Sequence, residues 1–181
     1  MKAGCSRFWD MERMIKSQDI FILLVLLRDT LGEWTYDTLS AHVGVAKSEV
    51  YRSIKRSASS HLFDLQSRRV RKAELLEFIA HGIRYAFAVA PGNSVRGMPT
   101  AWNAPGLEEH LMTDELERFV WPHPRGTMRG RAIEPFHDAV IAAAAQDEEL
   151  HRQLALCDAI RLGSARERKL AATLLTEALK S

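Results

Sequence analysis

At 181 residues, 46% of them hydrophobic, the chain can bury one good core or two small ones and needs neither a metal nor a disulfide to fold. Its two cysteines, Cys5 and Cys157, lie far apart in sequence, which excludes a disulfide framework or a CxxC metal site and fits a reducing cytosol. A net charge of +2 does not by itself point to a nucleic acid, but charge is unevenly spread: residues 45–72 hold eight basic side chains against two acidic ones, leaving the remainder acidic.

The N-terminal stretch MKAGCSRFWDMERM carries charges of both signs and no apolar segment ending in small residues, so no secretory signal is expected. The longest apolar run, Ile20 to Leu27, is far short of the roughly 20 residues a membrane span requires and is flanked by Asp19 and Arg28. It predicts a buried helix over 17–31, capped by Ser17 and stopped at Gly32. Thr35 then caps a second helix that reaches Val43, with Leu39 and Val43 on its inner face and Gly44 ending it. A third helix, 46–58, follows at once.

Beyond Ser60 the pattern predicts a helix in KAELLEFIAHG, a strand over Ile83–Val89 stopped by a Pro-Gly-Asn turn, and a loop over Ser94–Pro105, with Arg96, Gly97, Trp102 and Asn103, that suits the lining of an effector pocket, though a Trp such as Trp102 is more often a packing anchor. A β pair is expected from Arg118–Trp121 and Met128–Ile133, with Pro122 marking an edge or strand end. The rest reads as helix: FHDAVIAAAAQ, then DEELHRQLALCDAIRLG ending at Gly163, then a last helix opened by the capping box of Ser164 and Glu167. Leu150, Leu154, Cys157 and Ile160 form one apolar stripe there, and Leu170, Leu174 and Leu175 another, suited to core packing or in part to a dimer interface.

The third helix carries the functional signal. On a wheel with Val50 and Ile54 facing inward, Ser48, Arg52 and Lys55 cluster on the opposite face, with Tyr51 and Arg56 at its borders. Arginine bonds guanine O6 and N7 bidentately, and Ser, Lys and Tyr reach phosphates or base edges. The same charges also fit a plain solvated helix face. Ala46 stands where a Ser or Thr cap is usual, so the helix start lacks about 1 kcal/mol of capping.

The segment TYDTLSAHVGVAKSEVYRSIKR, 35–56, resembles the helix-turn-helix of winged-helix bacterial DNA-binding regulators of the MarR-like type. That resemblance implies a cytoplasmic transcriptional regulator that binds double-stranded DNA, as a homodimer, with no cofactor or metal. Lys47, Ser48, Tyr51, Arg52, Lys55, Arg56, Arg68, Arg69 and Arg71 would then be its DNA contacts, the last three from the basic SRRVRK in a wing or connecting loop. KAELLEFIAHGIRYAFAV and AIRLGSARERKLA are similar, more loosely, to helix-turn-helix proteins that accompany nucleotidyltransferase toxins. This implies, as the alternative, an antitoxin-like module that binds a partner protein such as a toxin and autoregulates its operon.

A second basic cluster, Arg125, Arg129 and Arg131, fits a second anion or partner surface as well as it fits a solvated turn. His123, His137 and Asp138, or His61 with Asp64, have no metal or nucleophile motif beside them, so no catalytic residue and no enzyme is expected. The fold class expected is α+β, mainly α: a winged helix-turn-helix over 1–90, then over 91–181 a small β-hairpin-containing middle and a helical C-terminal region.

Overall fold

Apolar runs broken by Gly44, Gly82 and Gly163 give short helices rather than long ones, and the computed structural model is an α+β protein, mainly helical. It describes residues 14–28, 30–107 and 117–180; Cys5 and the rest of the N-terminal stretch lie outside them. The chain divides into two compact units, Met1–Leu75 and Leu76–Ser181, so the division falls ahead of residue 90.

The first unit contains α1 (Ser17–Leu27), α2 (Tyr36–Val43) and α3 (Lys47–Ser59), then a hairpin of β1 (Phe63–Asp64) and β2 (Arg69–Val70). Helix α1 ends at Leu27, short of Gly32, and its cap is Lys16 rather than Ser17, with the Lys16 N–H donating to the Asp19 carboxylate at 2.8 Å. Ile20 to Leu24 are fully buried, as an all-apolar helix demands. Helices α2 and α3 follow the expected boundaries, with Leu39, Val43, Val45, Val50 and Ile54 closing the core. The hairpin registers Phe63 with Val70 and Asp64 with Arg69.

Helix α4 (Lys72–His81) is followed by one further turn, α5 (Ile83–Ala86), where the β-branched and aromatic residues predict a strand. The helical period wins over local β propensity: Leu75, Ile79 and Ile83 recur every four residues and all three are fully buried.

In the second unit the expected loop at 94–105 is instead β3 (Ser94–Pro99) and a 3-10 turn over Ala101–Asn103. Strands β4 (Phe119–Pro122) and β5 (Met128–Ala132) exist as predicted, but they do not make a hairpin with each other. Each is antiparallel to β3, while Phe119 and Val120 run parallel to Arg131 and Ala132, which closes the three strands on themselves. Gly97 explains this, because it lies opposite both Pro122 and Met128 and a Cβ there would collide with the Trp121 carbonyl.

Helices α6 (Val140–Ala144), α7 (Glu148–Leu162) and α8 (Ala165–Ala178) complete the unit. The Ser164 and Glu167 capping box is present, with the Ser164 N–H donating to Glu167 at 2.6 Å. Leu150, Leu154, Cys157 and Ile160 are all buried, so this stripe is used within the chain. Among the described residues no helix is long and apolar enough to cross a membrane.

Candidate nucleic-acid interface

The geometry of α3 is set from its buried side outward. Thr35 caps α2, accepting from the Thr38 N–H at 3.1 Å, and Gly44 ends it in the left-handed region at φ +68°. The small Ser40 lets the next turn close: its hydroxyl donates to the Val45 carbonyl at 2.7 Å while Val45 is buried beneath. Helix α3 then starts at Ala46 with no side-chain cap. Full burial of Val50 and Ile54, worth roughly 1.5–3 kcal/mol each, outweighs the missing cap's ~1 kcal/mol.

Ser53 and Ser57 lie on the same inner face as Val50 and Ile54, and both are fully buried. Arg56, expected at a phosphate, joins them: it is 2% exposed, and its Nε and Nη2 donate to the two oxygens of fully buried Asp19 at 2.8 and 2.6 Å. A guanidinium enclosed and bidentately paired in this way has no donor left facing solvent phosphate, so Arg56 leaves the set of contacts. Its role is to tie α3 to α1. The signal in the sequence was Asp19 itself, a lone acid in an otherwise apolar helix that cannot be buried without a cation.

Outside, Ser48, Tyr51, Arg52 and Lys55 are exposed, as the wheel requires. Arg52 pairs with Glu49 one turn earlier, and Gln18 donates to the other Glu49 oxygen at 3.2 Å. Burial works against the Glu49 charge, but the bonds from Gln18 and Arg52 and the charges of Arg52 and Arg56 outweigh it and hold the carboxyl below its ordinary range. Lys47 pairs with Asp37 at 2.7 Å, both side chains being well exposed. Exposed pairs of this sort are worth about 0–1 kcal/mol, so Arg52 and Lys47 can release their partners at small cost.

The hairpin is organised by Asp64, whose Oδ1 accepts from the Gln66 N–H at 2.9 Å. That bond, and after it the Ser67 hydroxyl, hold the Asp64 carboxyl low. Arg69 and Arg71 are both exposed, and the charge of Arg71 adds to what holds the Asp64 carboxyl low. Arg68 differs: with φ +56° it turns back over the Trp34 ring, 4.3 Å from guanidinium to centroid, and donates to the Trp34 carbonyl at 2.8 Å.

Trp34 belongs to an aromatic line that periodicity did not reveal. Phe63 meets Trp34 at 6.2 Å, Trp34 meets Tyr36 at 5.6 Å and Tyr36 meets Tyr51 at 5.4 Å, all edge to face. Arg68 stands over Trp34, and Lys55 lies 5.5 Å from the Tyr51 ring. The line therefore links the hairpin to the outer face of α3 through rigid rings, with one cation over Trp34 and another at the Tyr51 end. Two aromatics two residues apart, Trp34 and Tyr36 beside the Thr35 cap, are the only trace of it in the sequence.

In the second unit the expected cluster separates. Arg131 pairs with Glu117 at 3.3 Å and donates to the Pro91 carbonyl at 2.9 Å, Arg125 lines a pocket of about 870 Å³, and Arg129 is exposed on β5. His123, Asp138 and His151 line the same pocket. His137 is not in that lining, and its Nδ1 accepts from the Ala139 N–H at 3.0 Å. Among the described residues no group of three or more His, Cys, Asp or Glu is placed to hold a metal ion.

No family model matches the chain, nor does any curated protein or solved structure.

Proposed function

We propose that this protein is a sequence-specific double-stranded DNA-binding transcriptional regulator of winged helix-turn-helix type, with α3 as the helix that enters the major groove. The observation that carries the reading is the outer face of α3: Ser48, Tyr51, Arg52 and Lys55 are all exposed, while the opposite face is fixed by Val50, Ile54 and the Arg56–Asp19 pair. A helix held this firmly presents its donors without first being ordered. The β1–β2 hairpin stands as the wing, with Arg69 and Arg71 on phosphates and Arg68 held against Trp34 as its brace. In this reading the chain works in the cytoplasm as a homodimer on two half-sites.

Binding to the DNA upstream of the protein's own gene, compared with scrambled duplex across a salt series, is the test. Specific binding is expected, with log affinity falling by about 0.9 per log salt for each phosphate contacted. Equal affinity for both duplexes at every salt concentration contradicts the proposal. Arg52→Ala with Lys55→Ala is expected to remove the preference, and a preference that survives both counts against α3 as the reading helix.

A further inference from the structure

The closed strands of the second unit bring together two arginines that the sequence keeps far apart. Arg96 on β3 and Arg129 on β5 are direct register partners, and residues directly opposite in an antiparallel pair share one face of the sheet. Both are exposed, and neither has a side-chain hydrogen bond or ion pair among the described residues. Like charges placed directly opposite are unfavourable in a sheet, and an anion bound between the two side chains would offset that cost. Arg131 contrasts with them, because Glu117 and the Pro91 carbonyl already occupy it.

The platform beneath the pair is stiff. Gly130, between Arg129 and Arg131, packs so closely that a Cβ there would come 2.6 Å from the Arg118 carbonyl oxygen, and a Cβ on Gly97, next to Arg96, would overlap the Trp121 backbone. The guanidinium groups thus project from paired strands, not from a mobile loop. Opposite Arg131 stands Ser94, also exposed, and no large hydrophobic side chain of β3 or β5 is exposed. Protein interfaces centre on apolar and aromatic anchors, whereas contacts to a nucleic-acid backbone are made by arginine and small hydroxyl side chains. This face has the second composition.

We infer that Arg96 and Arg129 form a second phosphate-binding site, one that grips the backbone of the bound nucleic acid through the second unit. The inference rests on the proposed DNA-binding function for the identity of the polymer, but not for the site itself. Its test uses the full chain and a salt series on duplex DNA with five proteins: wild type, Arg96→Gln/Arg129→Gln, Arg96→Lys/Arg129→Lys, Arg52→Ala/Lys55→Ala, and the glutamine pair combined with Arg52→Ala/Lys55→Ala.

The glutamine pair is expected to lower the log-log salt slope by about 2 and to weaken binding about tenfold at moderate salt, for specific and scrambled duplex alike. The lysine pair is expected to restore the slope, which a loss of fold would not allow. An unchanged slope in the glutamine pair overturns the inference, and polyglutamate captured by wild type but not by that variant would then reassign the face to an acidic protein. A slope that the lysine pair fails to restore overturns it as well. If the pair's share of the slope persists when Arg52→Ala/Lys55→Ala removes sequence preference, the two sites are independent; if preference survives that change while the glutamine pair loses slope, the α3 reading fails and this site stands.

Discussion

Each unit buries a carboxylate against a guanidinium, but the two pairs serve different ends. In the first unit Asp19 and Arg56, 37 residues apart, join two helices through a bidentate contact, with the Lys16 N–H as a further donor to the acid. In the second, Asp158 and Arg161 lie one turn apart on α7, and each reaches outward. Asp158 accepts from the Thr100 hydroxyl and the Trp121 indole N–H, both at 2.7 Å, and Arg161 donates to the carbonyls of Phe87 and Glu134 at 2.9 and 3.2 Å. The first pair sets the angle of one helix. The second gathers strands and loops around α7, so the same chemistry fixes an orientation in one place and an assembly in the other.

The largest effect should come from removing the hub. Asp158→Ala leaves the buried Arg161 unpaired and deprives Thr100 and Trp121 of their acceptor, and a loss of about 5 kcal/mol or more is expected in urea unfolding followed by tryptophan fluorescence. A loss below about 1 kcal/mol would show that the network is not what holds the strands to α7.

The Asp19–Arg56 pair should respond in a more informative way. Asp19→Leu or Arg56→Met alone is expected to cost about 3–5 kcal/mol, and the two together much less than their sum, since an apolar pair can replace a buried ion pair. The double variant should also keep the wild-type salt slope on DNA. A slope reduced by about one would return Arg56 to the phosphate contacts.

Smaller still is the pH dependence of the second unit. His151 is buried, its Nε2 donating to the Pro99 carbonyl at 2.7 Å, and burial lowers its affinity for a second proton, against the Pro99 bond and the charge of Glu148. With the folded value below the ordinary 6.5, the unfolded chain takes up more protons in that window. Stability is then full above about pH 6.5 and falls as pH drops, by at most about 1.4 kcal/mol per pH unit. His151→Gln should flatten this part of the urea midpoint profile, and an identical profile would refute the assignment. The smallest change is a gain: Ala46→Ser supplies the missing cap, and the first unit should be stabilised by about 0.5–1 kcal/mol in thermal melts, whereas no gain would mean the Ala46 start is already satisfied.

Legibility in the sequence followed the kind of physics involved. Repeating apolar positions gave α2 and α3, with Leu39, Val43, Val50 and Ile54 correctly inward, and turn chemistry gave Thr35, Gly44 and the Ser164 box. Strand β3 was hidden because its residues alternate between exposed Ser94 and Arg96 and a buried Gly97, a pattern with almost no hydrophobic signal. Long-range pairings were hidden for a different reason. The helical wheel sets Arg56 only at the border of the face that Arg52 occupies, and its full burial follows from where Asp19 sits on another helix. The register of Arg96 with Arg129 likewise depends on strand pairing across an intervening β4.

The most direct test of α3 as the reading helix is guanine N7 methylation protection on the DNA upstream of the gene, comparing wild type with Arg52→Ala. Wild type should protect specific major-groove guanines, and the variant should lose protection at one of them in each half-site while binding about 5- to 150-fold more weakly. Protection unchanged in position and degree, or the absence of any protected guanine under conditions of specific binding, would contradict the assignment of Arg52 to the major groove.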